Sequence, residues 1–289
     1  MTPTAVLFPG QGSQTPDMRA FVAAVRPDLL DAAIELVGED PFLRVEESTR
    51  FAQPAILCAS LAGWSRLRDH VRPLALAGHS LGEFSALAAA GALSDLDALR
   101  LVVLRGDHMA SSGEASGGGT MLALLKASEA QSEALATRHG VSLANDNAPG
   151  QVVLSGSPAA LDAVREDAEA QGLRALPLGV AGAFHSPQMQ GAVEPFRTAL
   201  TEVVFNTPQI PVISCATAAL FTDPALELAE ALISPVRWRE TMTVLDALGV
   251  ESYIDVGPGR VLSKLASRCI KGANATTADN LLEDLLAPI

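Results

Sequence analysis

The turn Gly78-His79-Ser80-Leu81-Gly82 constrains this chain more than any other part of its sequence. It matches G-x-S-x-G, the pattern of a sharp strand-to-helix turn that presents a serine as a nucleophile. The small apolar residues 74–77 before the turn predict a strand, and the Ala-rich segment 83–91 after it predicts a helix. A bare match also arises by chance at an ordinary serine N-cap, but the strand and helix around this one favour a nucleophilic Ser80.

The same turn offers a place for developing negative charge. Ser80 and the amide of Leu81 would lie near the N-terminus of the following helix, where N–H donors point outward and stabilise an anion. The oxyanion of a tetrahedral acyl intermediate is such an anion. The two flanking glycines fit this interpretation, because a strained turn leaves little room for neighbouring Cβ atoms.

Composition narrows the class of protein. The chain has 289 residues, of which 48% are hydrophobic and 4% aromatic, which is typical of helices packed on a parallel sheet. A formal net charge of −13 argues against a nucleic-acid partner, because phosphate binding needs a basic surface. The sequence has no run of about 18 consecutive apolar residues, so we expect no membrane span.

The cysteines and the N-terminus indicate the compartment. Cys58, Cys215 and Cys269 are scattered in apolar surroundings, which favours buried thiols in a reducing compartment over a disulfide framework or a zinc site. Residues 1–9 have no basic region and end in a Pro-Gly turn after a strand-length apolar run, unlike a signal peptide. We therefore expect a cytoplasmic protein without a bound metal.

A Ser/Gly-rich run at 111–120 separates two patterns of predicted elements. Before it, strands are interspersed with helices, including one over 17–37 and another over 94–109. After it, the predicted elements follow the order β-α-β-β-α-β, which is the ferredoxin-like arrangement.

These patterns predict an α/β fold with a discontinuous large domain. We expect a hydrolase-like parallel sheet with helices on both faces, formed by residues 1–116 and 180–289. A small ferredoxin-like inserted subdomain would occupy residues 117–179.

A nucleophilic serine needs a base, and the sequence holds five histidines. His185 is the best candidate, because its segment 182–187 is small and apolar and would cross back over the edge of the sheet after the insert. The order of Ser80 before His185 also matches that of the α/β-hydrolases. The alternative for His185 is a buried structural histidine. His79 is better explained as support for the turn, and His70 as a solvated side chain. His139 fits a helix C-terminal residue, and His108 fits a packed or capping residue.

Eight short motifs follow one another along nearly the whole chain. They are Phe8-Pro-Gly-Gln-Gly-Ser-Gln14, Gln53-Pro-Ala55, Gly78-His-Ser-Leu-Gly-Glu83, Arg105-Gly106, Asn145-Asp-Asn-Ala-Pro-Gly-Gln151, Gly182-Ala-Phe-His-Ser186, Pro235-Val-Arg-Trp238 and Val256-Gly-Pro-Gly-Arg260. In this order they resemble the malonyl-CoA:acyl carrier protein transacylases, the acyltransferases that load fatty acid and polyketide synthases. The resemblance implies a hydrolase-like domain with a ferredoxin-like insert, in agreement with the element pattern.

The resemblance assigns roles to the residues of the site. Ser80 would attack an acyl-CoA thioester, with His185 as general base and then general acid. The backbone amides of Gln11 and Leu81 would form the oxyanion hole. Arg105 would pair with the free carboxylate of malonate, although a solvent-facing arginine on a helix is the alternative.

The resemblance also implies the shape of the acyl pocket. Phe184 would wall it, and a Phe before the base histidine goes with malonyl, where a Ser goes with methylmalonyl. The further substrate-binding residues would be His79, Gln53, Met109 and Asn147.

Two positions depart from the family's pattern. Relatives orient the histidine with a backbone carbonyl near the segment before Pro235, where this chain has Ala231 in place of a frequent Gln. If a main-chain oxygen does this work, the side-chain change should matter little. The other departure is Ser214-Cys215-Ala216, where relatives often have polar pairs, and it leaves the fine shape of the acyl pocket open.

The acceptor implied by the resemblance is an acyl carrier protein, which is acidic. Docking on this acidic chain then needs a local basic surface. Arg260, Lys264 and Arg268 fall on one face of a predicted helix, with Lys271 nearby. A solvated face that only offsets acidic neighbours is an equal alternative.

We therefore expect an [acyl-carrier-protein] S-malonyltransferase that acts by a ping-pong route and is a monomer without a metal or redox cofactor. Three alternatives stay open at this point. They are a discrete polyketide acyltransferase for another acyl unit, a serine acyl hydrolase or editing thioesterase, and a non-catalytic scaffold that binds carrier proteins.

Overall fold

The structure is a computed structural model that describes residues 2–286. The outermost residues of the predicted large domain, Met1 and 287–289, lie outside the described residues. Within the described range, none of the helices is long and apolar enough to cross a membrane.

Residues 2–286 form ten strands and twelve helices. The strands are β1 (Thr4–Phe8), β2 (Ala75–Gly78), β3 (Thr120–Leu125), β4 (Ser142–Ala148), β5 (Gln151–Gly156), β6 (Arg174–Pro177), β7 (Val212–Ser214), β8 (Ala219–Leu220), β9 (Ser252–Asp255) and β10 (Asn274–Thr277). The helices are α1 (Met18–Val25), α2 (Pro27–Val37), α3 (Thr49–Leu67), α4 (Gly82–Ala89), α5 (Asp95–Ala115), α6 (Glu129–His139), α7 (Pro158–Ala170), α8 (Gln190–Thr201), α9 (Pro224–Glu230), α10 (Trp238–Ala247), α11 (Val261–Cys269) and α12 (Ala278–Leu286). Short 3-10 helices lie at Pro41–Leu43 and Pro187–Met189.

Six strands make the larger sheet, in the order β10-β9-β1-β2-β7-β8. Neighbours pair in parallel up to β7, and β8 pairs antiparallel to it. Successive side chains of a strand point to opposite faces of the sheet, and those of β1 are buried on both faces, so helices must cover both. Val6 and Phe8 join one core with α1–α5, whereas Ala5 and Leu7 join another with α10 and α11. The predicted α/β fold is confirmed.

Four strands make a smaller antiparallel sheet, in the order β4-β5-β3-β6. Leu122 and Leu124 of β3 pack with α6 and α7 into a core of their own. Met121, on the opposite face of β3, belongs to the main core of the larger sheet. The elements of this sheet follow the order β-α-β-β-α-β. The domain limits at 117 and 179 stay a prediction.

The turn after β2 is as tight as its sequence predicts. Ser80 has φ of 52°, in the left-handed region that side chains other than glycine rarely adopt. A Cβ on Gly82 would lie 1.9 Å from the carbonyl oxygen of Phe8, at the end of β1. The bare glycine therefore lets the end of β1 approach the first turn of α4 directly.

The prediction of a single helix over 17–37 is wrong, because the structure has two helices there, α1 and α2. Arg26 lies between them with φ of −139° and ψ of 64°, outside the helical region. Pro27 explains the break, since a proline restrains the residue before it and has no N–H for the preceding helix.

The other differences lie at element ends and at the edges of the larger sheet. Helix α5 continues six residues beyond Met109, to Ala115, so it includes the start of the Ser/Gly-rich run 111–120. The short strands β8 and β10 were not predicted. Both lie at sheet edges, where a strand has one neighbour and needs less apolar sequence.

Candidate active site

The predicted site residues meet in a cavity of about 330 Å³ between the two sheets. One wall is formed by the loop after β1 and the turn after β2, at the carboxyl ends of two parallel strands. Met121 of β3 and Val153 of β5 line the other side, and Leu262 and Leu265 of α11 contribute part of the wall. Ligands of open α/β sheets bind at such a carboxyl edge.

Ser80 and His185 are in direct contact. The distance between Ser80 Oγ and His185 Nε2 is 2.8 Å. Nδ1 of the same ring lies 2.9 Å from the carbonyl oxygen of Ala231 and 3.0 Å from that of Ser234. Because a carbonyl oxygen only accepts, we assign the ring proton to Nδ1. Nε2 therefore turns its lone pair toward the serine hydroxyl.

The segment that carries these two carbonyl groups is fixed against the smaller sheet. The Val236 amide donates to the Ala144 carbonyl oxygen, and the Asp146 amide donates to that of Val236, both at 2.8 Å. Arg239 Nη2 lies 2.7 Å from the Asp146 carboxylate. The orientation of His185 thus depends on main-chain atoms held by β4, with no carboxylate in the third position.

His185 is buried and strained. Its φ of 56° is in the left-handed region, like that of Ser80. Burial, together with the nearby positive charge of Arg105, lowers the pKa of His185 to about 3. The imidazole is therefore neutral at physiological pH and can accept a proton.

Arg105 projects from α5 into the site and is 3% exposed. Its Nη1 donates to Gln53 Oε1 at 2.8 Å, and its Nη2 donates to Ser80 Oγ at 3.1 Å. Burial lowers the pKa of Arg105 to about 10, opposed by the charge of Glu83. The guanidinium stays positive at neutral pH, so a buried cation lies beside the serine.

A chain of polar side chains links Arg105 to the loop after β1. Gln53 Nε2 donates to Thr49 Oγ1 at 2.8 Å, and Thr49 Oγ1 donates to Gln11 Oε1 at 2.9 Å. Thr49 was missed by the sequence reasoning, because a threonine at the start of a helix gives no functional signal.

Gln11 and Leu81 both line the cavity beside Ser80. Leu81 immediately precedes α4, and Gln11 lies in the turn after β1. Among residues 2–286, no acceptor is found for either main-chain amide. Both amides are thus available to an anion formed at Ser80.

The remaining predicted pocket residues also line the cavity. His79 Nε2 lies 2.8 Å from Asn147 Oδ1, and the His79 ring packs against Trp238 with 5.3 Å between centroids. Phe184 and Met109 contribute apolar surface. The other three histidines of the chain do not line it: His70, His108 and His139.

Glu83 and Cys215 form a polar contact behind Ser80 that the sequence reasoning missed. The Cys215 amide donates to Glu83 Oε1 at 2.8 Å, and Ser214 Oγ donates to the same oxygen at 3.0 Å. Burial raises the pKa of the Glu83 carboxyl to about 7. The acidic residue directly after the G-x-S-x-G turn was the available signal.

The four predicted docking residues are all exposed, on or beside α11. Lys264 and Arg268 are exposed on α11, whose Leu262 and Leu265 are buried and line the cavity. Arg268 also donates to Gln151 Oε1, and Gln151 belongs to the cavity wall. The remaining two, Arg260 and Lys271, flank the helix.

Within the described part of the chain, no group of three or more His, Cys, Asp or Glu residues could hold a metal ion. The expectation of no cofactor stays a prediction.

Comparison with known proteins identifies relatives of the whole fold. A family model described as an acyl transferase domain matches residues 35–284. The malonyl CoA-acyl carrier protein transacylase of Synechocystis sp. is 38% identical over 288 residues, covering 94% of this chain and 95% of the relative. That of Bacillus subtilis is 39% identical over 293 residues, covering 93% and 90%.

A polyketide biosynthesis protein, ThaF of Burkholderia thailandensis, is 38% identical over 279 residues, covering 92% of this chain. The match covers 24% of ThaF, so this chain spans about a quarter of that relative.

Solved structures share the fold over nearly their full length. A malonyl-CoA:acyl carrier protein transacylase from Xanthomonas oryzae pv. oryzae has a TM-score of 0.90 and 33% identity, covering 100% of both chains. A malonyl-transacylase in complex with its type II PKS acyl carrier protein has a TM-score of 0.87 and 32% identity, covering 96% of this chain and 94% of that chain.

The burial of His185 predicts a pH dependence of stability. Its folded pKa of about 3 lies below the ordinary value of 6.5, so between these pH values the unfolded chain binds a proton that the folded chain does not. This contribution to the free energy of unfolding is complete above pH 6.5 and decreases as the pH falls. The variant His185→Gln lacks this titrating group, so its free energy of unfolding should fall less steeply with acidification than that of the wild type. The two slopes should differ by up to about 1.4 kcal/mol per pH unit. Urea unfolding at pH 5 to 7 measures both slopes, and parallel curves would contradict the assignment.

Proposed function

This chain belongs to the acyl transferase domain family, and we propose that it moves a malonyl group from malonyl-CoA to the phosphopantetheine thiol of an acyl carrier protein. The proposed route is ping-pong, through an ester on Ser80. The observation that carries this proposal is the buried Arg105 guanidinium, whose Nη2 lies 3.1 Å from Ser80 Oγ inside the cavity. A cation at that place fits an acyl group that has a free carboxylate at its other end.

In the first half-reaction, Ser80 Oγ attacks the thioester carbonyl carbon, and His185 Nε2 takes the hydroxyl proton as the C–O bond forms. The carbonyl oxygen becomes an oxyanion between the amides of Gln11 and Leu81. One such donor is typically worth about 3 kcal/mol of transition-state stabilisation. The C–S bond then breaks and the imidazolium returns the proton to sulfur, which releases CoA-SH and leaves malonyl-Ser80.

Arg105 selects the acyl group in this proposal. A planar guanidinium binds a carboxylate through two parallel N–H···O bonds and remains charged when buried. Its Nε is buried, and no acceptor for it is found within residues 2–286. The malonyl carboxylate would supply an acceptor for the guanidinium and allow Nη2 to leave Ser80 Oγ. An acetyl group offers no such acceptor.

In the second half-reaction, the phosphopantetheine thiol replaces CoA in the cavity. His185 Nε2 takes the thiol proton as sulfur attacks the ester carbonyl, and the same amides stabilise the oxyanion. The C–O bond to Ser80 breaks, and the imidazolium returns the proton to Ser80 Oγ. Atoms and charges balance without a cofactor, and the enzyme is restored.

We infer that the carrier protein docks on the exposed cations of α11. Leu262 and Leu265 of the same helix form part of the cavity wall. The helix is anchored from the sheet, because Asp255 accepts hydrogen bonds from the amides of Leu262 and Ser263 at 2.8 and 3.0 Å. An acidic partner attracted to Lys264 and Arg268 would therefore bring its prosthetic arm close to the cavity.

We also infer that the chain works as a monomer in the cytoplasm. The described residues supply every group that the two half-reactions use, so a second copy is not needed to complete the site. Cys58 and Cys215 are fully buried and Cys269 is partly buried, as expected for thiols in a reducing compartment.

Labelled malonyl-CoA tests the proposed reaction. We expect wild-type protein alone to form a malonyl ester on Ser80, and added holo acyl carrier protein to discharge it as malonyl thioester. Mass spectrometry locates the adduct, and Ser80→Ala should form none. Rapid release of free malonate would indicate a hydrolase instead, and no labelling would indicate a scaffold.

Arg105→Ala should change which acyl group is transferred. We expect malonyl transfer to fall by about 100-fold, because the carboxylate loses a charged hydrogen-bond partner in a buried site. Acetyl transfer should rise, since its methyl group no longer faces a cation. The kcat/KM values for the two CoA esters measure the switch. Arg100→Ala, an exposed change on the same helix, is the control; equal loss of both activities would contradict the role.

Charge reversal on α11 tests docking. The double change Lys264→Glu and Arg268→Glu should raise the KM for carrier protein at least about 10-fold and leave the KM for malonyl-CoA unchanged. The effect should shrink at high salt, because exposed charges are screened. A matched reversal at exposed Arg68 and Arg72, which lie between α3 and β2 and do not line the cavity, is the control. Equal carrier kinetics for the two double variants would remove α11 from the docking surface.

A further inference from the structure

Ser80 and two residues behind it, Cys215 and Glu83, close a ring of hydrogen bonds. The Ser80 amide donates to Cys215 Sγ at 3.3 Å, and the Cys215 amide donates to Glu83 Oε1 at 2.8 Å. The Glu83 amide in turn donates to the Ser80 carbonyl oxygen at 3.0 Å. The ring joins three parts of the fold: the turn after β2, the first turn of α4 and the residue after β7.

We propose that Cys215 and Glu83 are positioning residues for Ser80, and that their ring holds the serine backbone in the conformation that aims its hydroxyl at His185. This inference rests on the proposed function only in that Ser80 is the nucleophile. Ser80 has φ of 52°, so its conformation is not one that the isolated chain prefers. Two of its main-chain groups are fixed by the ring, which leaves its backbone little freedom to relax.

The sulfur is well placed to accept from the Ser80 amide, because hydrogen bonds hold the backbone of Cys215 at both its amide and its carbonyl group. The Cys215 amide is held by Glu83, and the Cys215 carbonyl oxygen accepts from the Arg237 amide at 2.7 Å. Cys215 is 1% exposed and Glu83 is also 1% exposed, so water does not compete for these bonds. An acceptor that is fixed at both ends of its residue sets the position of the Ser80 amide.

The chemistry of Cys215 suits an acceptor better than a second nucleophile. Burial raises the pKa of its thiol well above the usual value, and the charge of Glu83 acts in the same direction. Cysteine reacts as the thiolate, so this neutral sulfur does not compete with Ser80 for the acyl group. It retains a lone pair, which accepts the Ser80 amide proton.

Glu83 provides the second half of the device. Its Oε1 also accepts from Ser214 Oγ at 3.0 Å, so one carboxylate oxygen ties the end of β7 to the elbow helix. Its charge opposes the shift that burial imposes on Arg105. The family pattern often places polar pairs at residues 214–216, and the ring shows what a cysteine there does in this chain.

Matched substitutions at residue 215 separate positioning from packing. Cys215→Ser and Cys215→Ala leave nearly the same space, but only serine retains an acceptor for the Ser80 amide. We expect Cys215→Ala to slow single-turnover malonylation of Ser80 about 10-fold with the KM for malonyl-CoA unchanged, and Cys215→Ser to recover most of the rate. Cys58→Ala, a buried cysteine on α3, should leave the rate within about 2-fold.

Sulfonylation of Ser80 by phenylmethylsulfonyl fluoride is a second readout that needs no malonyl group. The same order of rates is expected there, with rates expressed per folded enzyme from urea unfolding. If Cys215→Ala does not fold, the larger pair Cys215→Thr and Cys215→Val makes the same comparison. Equal rates for the two members of a folded pair would overturn the proposal. Wild-type protein that is sulfonylated but never malonylated would overturn the proposed function and leave the ring's role to be judged on sulfonylation alone.

Discussion

The site depends on how closely the end of β1 approaches the turn after β2. The His79 amide donates to the Phe8 carbonyl oxygen at 2.9 Å, and Gly82 leaves that oxygen the space that a Cβ would fill. This contact sets the loop that contains Gln11 beside Ser80. The two amides proposed for the oxyanion therefore come from neighbouring strand ends, and their spacing follows from the spacing of strands in a sheet.

Charge in the site is arranged so that each group keeps the form its role needs. Arg105 is buried but stays cationic, with Glu83 close enough to offset part of the cost of burial. His185 is held neutral by the same burial and by the same cation. Its second ring nitrogen faces main-chain oxygens, which orient the ring without adding a charge. A buried cation thus lies beside Ser80 in a protein whose net charge is −13.

The sequence predicted what is encoded locally and missed what main-chain atoms and distant packing supply. The turn at Ser80 was visible because glycine, serine and the flanking elements are contiguous. His185 needed an argument from chain order, since 105 residues separate it from Ser80. The ring through Cys215 shows in the sequence only at Glu83, because all three of its donors are backbone amides. The break before Pro27 does have a sequence signal, the proline itself. The prediction gave more weight to the amphipathic periodicity over 17–37. Strand β10, Asn-Ala-Thr-Thr, is too short and polar to stand out from a loop.

Residues near the larger sheet line one side of the cavity, and residues of the smaller sheet line the other. Ser80, His185 and the two amides proposed for the oxyanion lie on the side of the larger sheet, whereas Met121 and Val153 project from the smaller sheet. Neither residue contacts Ser80 or His185 through a hydrogen bond, whereas β4 of the same sheet holds the segment that orients His185. The size of the cavity can therefore change through side chains of β3 and β5 alone, while β4 keeps the histidine in place.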